Sequence, residues 1–332
     1  MRELVTILLL AVHLLALNLA CCGPLFCVWL GRCGKRLPGD TGERHTDLGR
    51  RLAGWSLVAF AIGMLLGGLL LVVVPGYGLW NSLARFPVSA FWFAGAELVF
   101  SLVCLAVFYG SWNLLARWPV ANGLVALLSV TNLLYHFPSL MAVIGQLAAN
   151  ANWTSEALLD RPHLLKIMAS GEVLGLSLHF SMSSVAVSAV ALLYGIARQT
   201  RDDLAGESFK HITRTAAILA ALATLLQIPI GIWLLAESNA RVRYSLMGGG
   251  MLASLAFMAG LTATILMLQR LVAVAIGESE RRHLQQIAWL MLAVVVLMTT
   301  SLRLSRQGSS FGPAKLTASC AVPEAVRLGD GR

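Results

Sequence analysis

The chain is poor in charge. Only 12% of its 332 residues are Asp, Glu, Lys or Arg, about half the share of a soluble domain, while 58% are hydrophobic. That shortage excludes a water-facing fold for most of the length. The cysteine patterns of redox and metal centres are also missing. The six cysteines are Cys21, Cys22, Cys27, Cys33, Cys104 and Cys320, and they form no CxxCH for covalent haem and no paired CxxC for zinc or an iron–sulfur cluster. Five lie in or beside apolar runs, where cysteine packs as a small hydrophobe.

What is abundant is continuous apolar sequence. Runs at 4–31, 51–74, 89–116, 118–148, 166–197, 212–236, 245–276 and 287–304 are each long enough to cross a bilayer, for which about 20 residues suffice. They exceed strand length, and a helix satisfies its own backbone in lipid, so all are read as helices. The expected fold is an all-α polytopic membrane protein with eight transmembrane helices in two four-helix bundles, 1–148 and 149–304. Residues 305–332, rich in Ser, Gly, Pro and Ala, read as a disordered tail. Linkers are short except 32–50, 75–88 and 149–165. The first run is read as a retained helix and not a signal peptide. Its basic region is Arg2 beside Glu3, its apolar stretch continues past Cys21, and Asn18 stands where a lipoprotein cleavage box wants an apolar residue.

The net charge of +9 follows from topology. Loop 32–51 holds six Lys or Arg, loop 198–214 four and loop 270–282 three, with Arg117 in the remaining loop of that side. The opposite loops hold only Arg85, Arg161, Lys166, Arg241 and Arg243. The positive-inside rule then places both termini outside the cytoplasm, in a plasma (inner) membrane, and the basicity calls for no nucleic acid.

Ionisable groups within hydrocarbon are costly, so each one suggests a function. His13, Glu97, His136 and His179 lie in runs 1, 3, 4 and 5. At 1.5 Å of rise per residue they stand about 15, 12, 18 and 20 Å from the outer ends of their runs. Imidazole is the commonest haem axial ligand, and helical bundles hold such cofactors between facing helices. Met247 in "SLMGGGML" offers a thioether beside three glycines that would let a flat macrocycle come close. Glu97 reads as a proton carrier or weak metal ligand. Each histidine can equally hydrogen-bond a neighbouring helix, a role worth about 1 kcal/mol. Pro138 and Pro229 are expected to kink their helices and free carbonyls.

Several segments together resemble the haem-bearing large subunit of cytochrome bd quinol oxidases. They are "HLLALNL" from His13, "LGRRLAGWSLVAFAIGMLLGG" (48–68), "PGYGLW" (75–80), "FAGAELVFSLVCLAVFYGSW" (93–112) and "SVTNLLYHFP" (129–138), the last by its Asn132. The resemblance implies that His13 is an axial ligand in the oxygen-reducing haem pair, with Glu97 beside it. It also implies that His179 holds the low-spin haem b with Met247 opposite. The chain departs from that pattern at Leu105, where the family has a second glutamate, and at Arg303, where it has a carboxylate ligand. The outer loop between runs 6 and 7, which helps bind quinol in the family, is reduced to about ten residues. His136 has no counterpart and would replace a lost ligand. "AGAELVFSL" (94–102) and "ASGEVLGLSL" (169–178) share a rhythm that suits a duplicated four-helix unit.

The expected function is therefore a shortened, membrane-bound b-type cytochrome with one or two haems b. It would pass electrons from quinol or a partner subunit to another carrier or to oxygen, beside a second membrane subunit. Two alternatives stay open: a haem-free proton-coupled transporter or channel lined by the same polar residues, and a structural subunit of a membrane complex.

Overall fold

A computed structural model describes residues 2–37, 39–73, 77–115, 117–149, 158–198, 207–278 and 280–307. No strand occurs among them. The long helices are α1 (Arg2–Lys35), α2 (Gly39–Val73), α3 (Val88–Gly110), α4 (Pro119–Ala149), α5 (Gly171–Ala197), α6 (Glu207–Glu237), α7 (Met251–Ile276) and α8 (Arg281–Gln307). Each contains a stretch long and apolar enough to cross a membrane, so the expected eight-span, all-helical membrane protein is what the chain forms.

Chain neighbours pack pairwise, α1 on α2, α3 on α4, α5 on α6 and α7 on α8. Further contacts join α1 with α4, α5 and α8, α2 with α3, α4 with α5, α5 with α8, and α6 with α7. Helix α5 is central, with 61% of its spanning stretch buried against 39% or less in every other span. Its small residues explain this position, since Ser184, Ala186, Ser188 and Ala189 let neighbouring backbones come close. One of these contacts accounts for the asparagine of the first run. Asn18 on α1 is buried and accepts a 2.7 Å hydrogen bond from Ser184 Oγ.

Polar ties mark one side of the molecule, called here the terminal side. Arg2 donates to the carbonyl of Val73 at 3.0 Å, and Arg303 Nε lies 3.3 Å from Glu3 Oε2, so the start of α1 meets the ends of α2 and α8. The largest apolar core fills the opposite half, where Leu30, Leu48, Leu52, Leu193, Ile196 and Ile212 are almost fully buried. The candidate polar residues thus lie toward the terminal side, away from the best-packed hydrocarbon.

Three boundaries differ from the sequence reading. The linker 32–50 is largely helical, because α2 begins at Gly39 and not at 51. Gly42, His45, Leu48 and Gly49 form a buried stripe there, and Gly42 stands so close to Gly34 that a Cβ would lie 2.5 Å from the Gly34 carbonyl. Tertiary packing therefore drives this polar stretch into a helix. The fifth run is split: a short helix, Arg161–Met168, is capped by Asp160, and α5 starts only after Ser170. His179 is then about 12 Å from the start of its helix, not 20. The seventh run opens as a π-turn over Ser245–Gly249, and Gly248 at φ +117° adopts a conformation that side chains disfavour. Pro138 and Pro229 sit inside α4 and α6, both of which continue past them. Of the proposed tail, residues 305–307 belong to α8 and the rest lies outside the described residues.

Candidate functional site

Helix α4 supplies the framework. Six of its polar residues, Asn122, Ser129, Asn132, His136, Ser139 and Gln146, recur at intervals of three, four or seven, while Thr131 faces away. Such spacing draws one stripe along a helix. From Asn122 to Gln146 the stripe covers about 36 Å, more than the hydrocarbon thickness of a bilayer.

Near the middle of this stripe two ionisable side chains from different spans meet. His136 Nδ1 lies 2.8 Å from Glu97 Oε1 on α3, with the two side chains 40% and 30% exposed. The contact does not meet hydrogen-bond geometry and leaves Nδ1 without a hydrogen-bond partner among the described residues. One turn away, Asn132 Nδ2 donates to the Glu97 carbonyl at 2.9 Å and to Ser101 Oγ at 2.8 Å. Asn132 therefore fixes α3 against α4 and holds the backbone that carries Glu97. The ring of Tyr135 meets His136 edge-on at 4.8 Å.

Toward the terminal side the stripe passes from α3 to α5. Ser139 Oγ and Ser177 Oγ are 3.1 Å apart, and Ser177 donates to the Val173 carbonyl. Further on, Gln146 Nε2 donates to Glu172 Oε2 at 3.0 Å and to Ser170 Oγ at 3.4 Å. Arg306 of α8 brings its guanidinium beside Gly145 of α4. Toward the other side, Ser129 Oγ and Asn122 Oδ1 are buried and have no hydrogen-bond partner among the described residues. Buried polar atoms in native structures are almost always satisfied, by protein or by ordered water. Three such atoms on one face of one helix, counting His136 Nδ1, describe a polar track.

The other residues singled out in the sequence lie elsewhere. His13 Nδ1 is 2.7 Å from the Gly63 carbonyl of α2, and its ring covers Gly67, where a Cβ would come within 2.9 Å of Cε1. His179 lies on the α5 stripe that follows α6: four residues before it Gly175 packs on Leu234, and four residues after it Ser183 donates to Gln227 at 2.9 Å. Its Nδ1 is buried and has no partner among the described residues. Met247 is 75% exposed in the π-turn. Of the five candidates, only Glu97 and His136 are brought together. Spacing along α4 also marks Asn122, Ser129, Ser139 and Gln146, although serine is common in membrane helices and singles out no site by itself.

Against a haem these residues fit in part. An orphaned buried imidazole nitrogen at His179 suits an axial position, and a backbone carbonyl on Nδ1 of His13 is the outer bond that ligating histidines usually make. No hydrogen bond or ion pair links any two of His13, His136, His179 and Met247, and no group of three His, Cys, Asp or Glu suited to a metal occurs among the described residues. A groove of about 900 Å³ beside α1 and α2 is lined by none of the four.

Fold and site together define an all-helical, multi-pass membrane protein with a polar track on α4. No family model, no curated protein and no solved structure matches the chain.

Proposed function

We propose that the protein is a proton-coupled transporter or channel whose protons travel along the polar face of α4. The observation that carries this reading is the 2.8 Å pairing of His136 with Glu97 in the middle of that face. An imidazole and a carboxylate this close exchange a proton between Nδ1 and Oε1 once the ring turns into line, and either group releases it to a neighbour. Hydroxyls both donate and accept, so Ser139 and Ser177 are suited to pass a proton toward Gln146 and Glu172. The orphaned Ser129 and Asn122 continue the same face toward the basic loops. Those loops face the cytoplasm, both termini are extracytoplasmic, and the membrane is the plasma (inner) membrane.

A second reading, the b-type cytochrome, is favoured by the partnerless Nδ1 of His179. There His179 and His13 would be haem ligands, with Met247 or His136 completing a coordination sphere. Glu97 would hold a proton near the site. Haem would supply electron transfer from quinol or a partner subunit.

One preparation tests both readings. The purified protein is examined by visible spectroscopy, oxidised and dithionite-reduced, and then reconstituted for proton flux. A colourless protein that conducts protons supports the first reading. Soret and α bands lost on His179→Ala, without proton flux, support the second.

A further inference from the structure

A different part of the molecule carries an amphiphile site. We infer that the α1–α2 hairpin binds one anionic phospholipid, its phosphate at Arg50 and an acyl chain along the groove beside α2. Two adjoining cavities support this. The first, about 410 Å³, is an open hollow of mixed polarity at the bend of the hairpin, lined by Lys35, Glu43, Thr46, Asp47, Arg50 and Trp112. The second, about 900 Å³, is an open and mainly apolar groove lined by Leu15, Leu19, Val58 and Ile62, with Tyr109 from α3. Both include Asp47 and Arg50, so the hollow and the apolar groove adjoin at those two side chains.

The charge at that junction selects the head. Arg51 pairs with Asp47 at 2.8 Å, which neutralises the aspartate. Arg50 is exposed and makes no hydrogen bond or ion pair among the described residues. Trp112 lines the hollow and is 4% exposed, and its indole Nε1 is a buried donor with no acceptor among the described residues. A phosphate oxygen would pair with the Arg50 guanidinium. Lys35 and Glu43 line the hollow with opposite charges and Arg51 neutralises Asp47, which leaves Arg50 as the unmatched charge and favours an anion.

The groove selects the tail. From Asp47 to Ile62 it follows about 22 Å of α2, longer than the roughly 15 Å depth of one leaflet. Free phosphate would fill the hollow and leave the groove empty. A phospholipid with a net negative head fills both, and basic pockets between spans at the cytoplasmic face are where such heads bind. This site shares no residue with the α4 track, so the two proposals stand or fall separately.

The test is thermal unfolding of delipidated protein in a neutral detergent with added phosphatidylglycerol, phosphatidylcholine or inorganic phosphate. Phosphatidylglycerol is expected to raise the midpoint, while the other two leave it unchanged. Arg50→Gln, at an exposed position, is expected to keep the lipid-free midpoint and to weaken the response about fivefold in lipid concentration, the effect of one arginine near a lipid phosphate. Val58→Trp, which fills the groove from an exposed position, is expected to abolish the response. Equal stabilisation by the two lipids, a full effect from phosphate alone, or an unchanged response in Arg50→Gln would overturn the assignment.

Discussion

His136 on α4 and Glu97 on α3 meet at 2.8 Å inside a seam that Asn132 closes from one turn away. An imidazole and a carboxylate on different spans reach that distance only if both helices hold a fixed rotation about their axes. Asn132 supplies that constraint through two hydrogen bonds from one amide.

If the pair works as a unit, removing either member is nearly as damaging as removing both. Glu97→Gln and His136→Ala are each expected to lower proton flux on the order of 10²-fold, the usual weight of a positioned acid–base group. The double variant should be little worse than either single one, because residues acting together are strongly non-additive. Flux into proteoliposomes under an imposed potential checks this.

Asn132→Leu removes both bonds while keeping approximate size. It is expected to destabilise the protein by about 1 kcal/mol, since hydrogen bonds between membrane helices are individually modest. It should also lower proton flux without touching the Glu97 carboxylate. Unfolding in detergent and flux, measured on the same preparation, separate the two effects. Asn18→Leu should destabilise to a similar degree by removing the interhelical acceptor of Ser184, whose hydroxyl keeps its bond to the Phe180 carbonyl, and should leave flux unchanged.

The stripe also predicts a pattern of water access. Single cysteines introduced at 122, 129, 139 and 146, in a background lacking the native cysteines, should react with a small water-soluble thiol reagent. Cysteines at 124, 128, 131 and 135, on the exposed apolar side of the same helix, should not react. Mass spectrometry of the labelled protein reads the difference.

On α1 and α2, close approach depends on glycine. A methyl at Gly23 would collide with Ser56 Oγ, and one at Gly67 would press on His13. Gly23→Ala is expected to cost about 1–3 kcal/mol, the range for overpacking a tight contact. Gly67→Ala should displace the His13 ring, an effect visible in its NMR titration.

Outside the spans, Asp160 caps the helix Arg161–Met168. Its carboxylate accepts from the His163 backbone N–H at 3.0 Å and from the His163 ring, and these bonds hold its pKa below the ordinary 3.8. A depressed carboxylate stabilises above its unfolded value and loses that contribution as pH falls through the folded one. Amide exchange protection of this helix should therefore be level through neutral pH and fall only below about pH 4. Asp160→Asn should keep part of the cap and lose the acid response.

The eight spans were legible because lipid imposes length and apolarity on each helix independently. The first turns of α2 were not, since Gly42 and His45 become helical through packing against Gly34 and Phe209, partners remote from the run that hydropathy detects. Candidate polar residues could be named individually, yet their grouping depends on helix rotation. Glu97 and His136 came together, while His13 turned onto α2 and His179 onto the α6 side of its helix. The length of the α4 stripe was present in the heptad spacing of its Asn, Ser and Gln residues. A single hydroxyl in a membrane helix carries little information, so the stripe is legible only across the whole helix.

Proton flux through reconstituted wild-type protein, compared with Glu97→Gln at matched protein content, tests the central claim most directly. A pH-sensitive dye inside the vesicles should report acidification driven by a potassium diffusion potential in the wild type, and only the leak of empty vesicles in Glu97→Gln. Equal rates for the two proteins, or a wild type no faster than empty vesicles, would contradict a proton path through this pair.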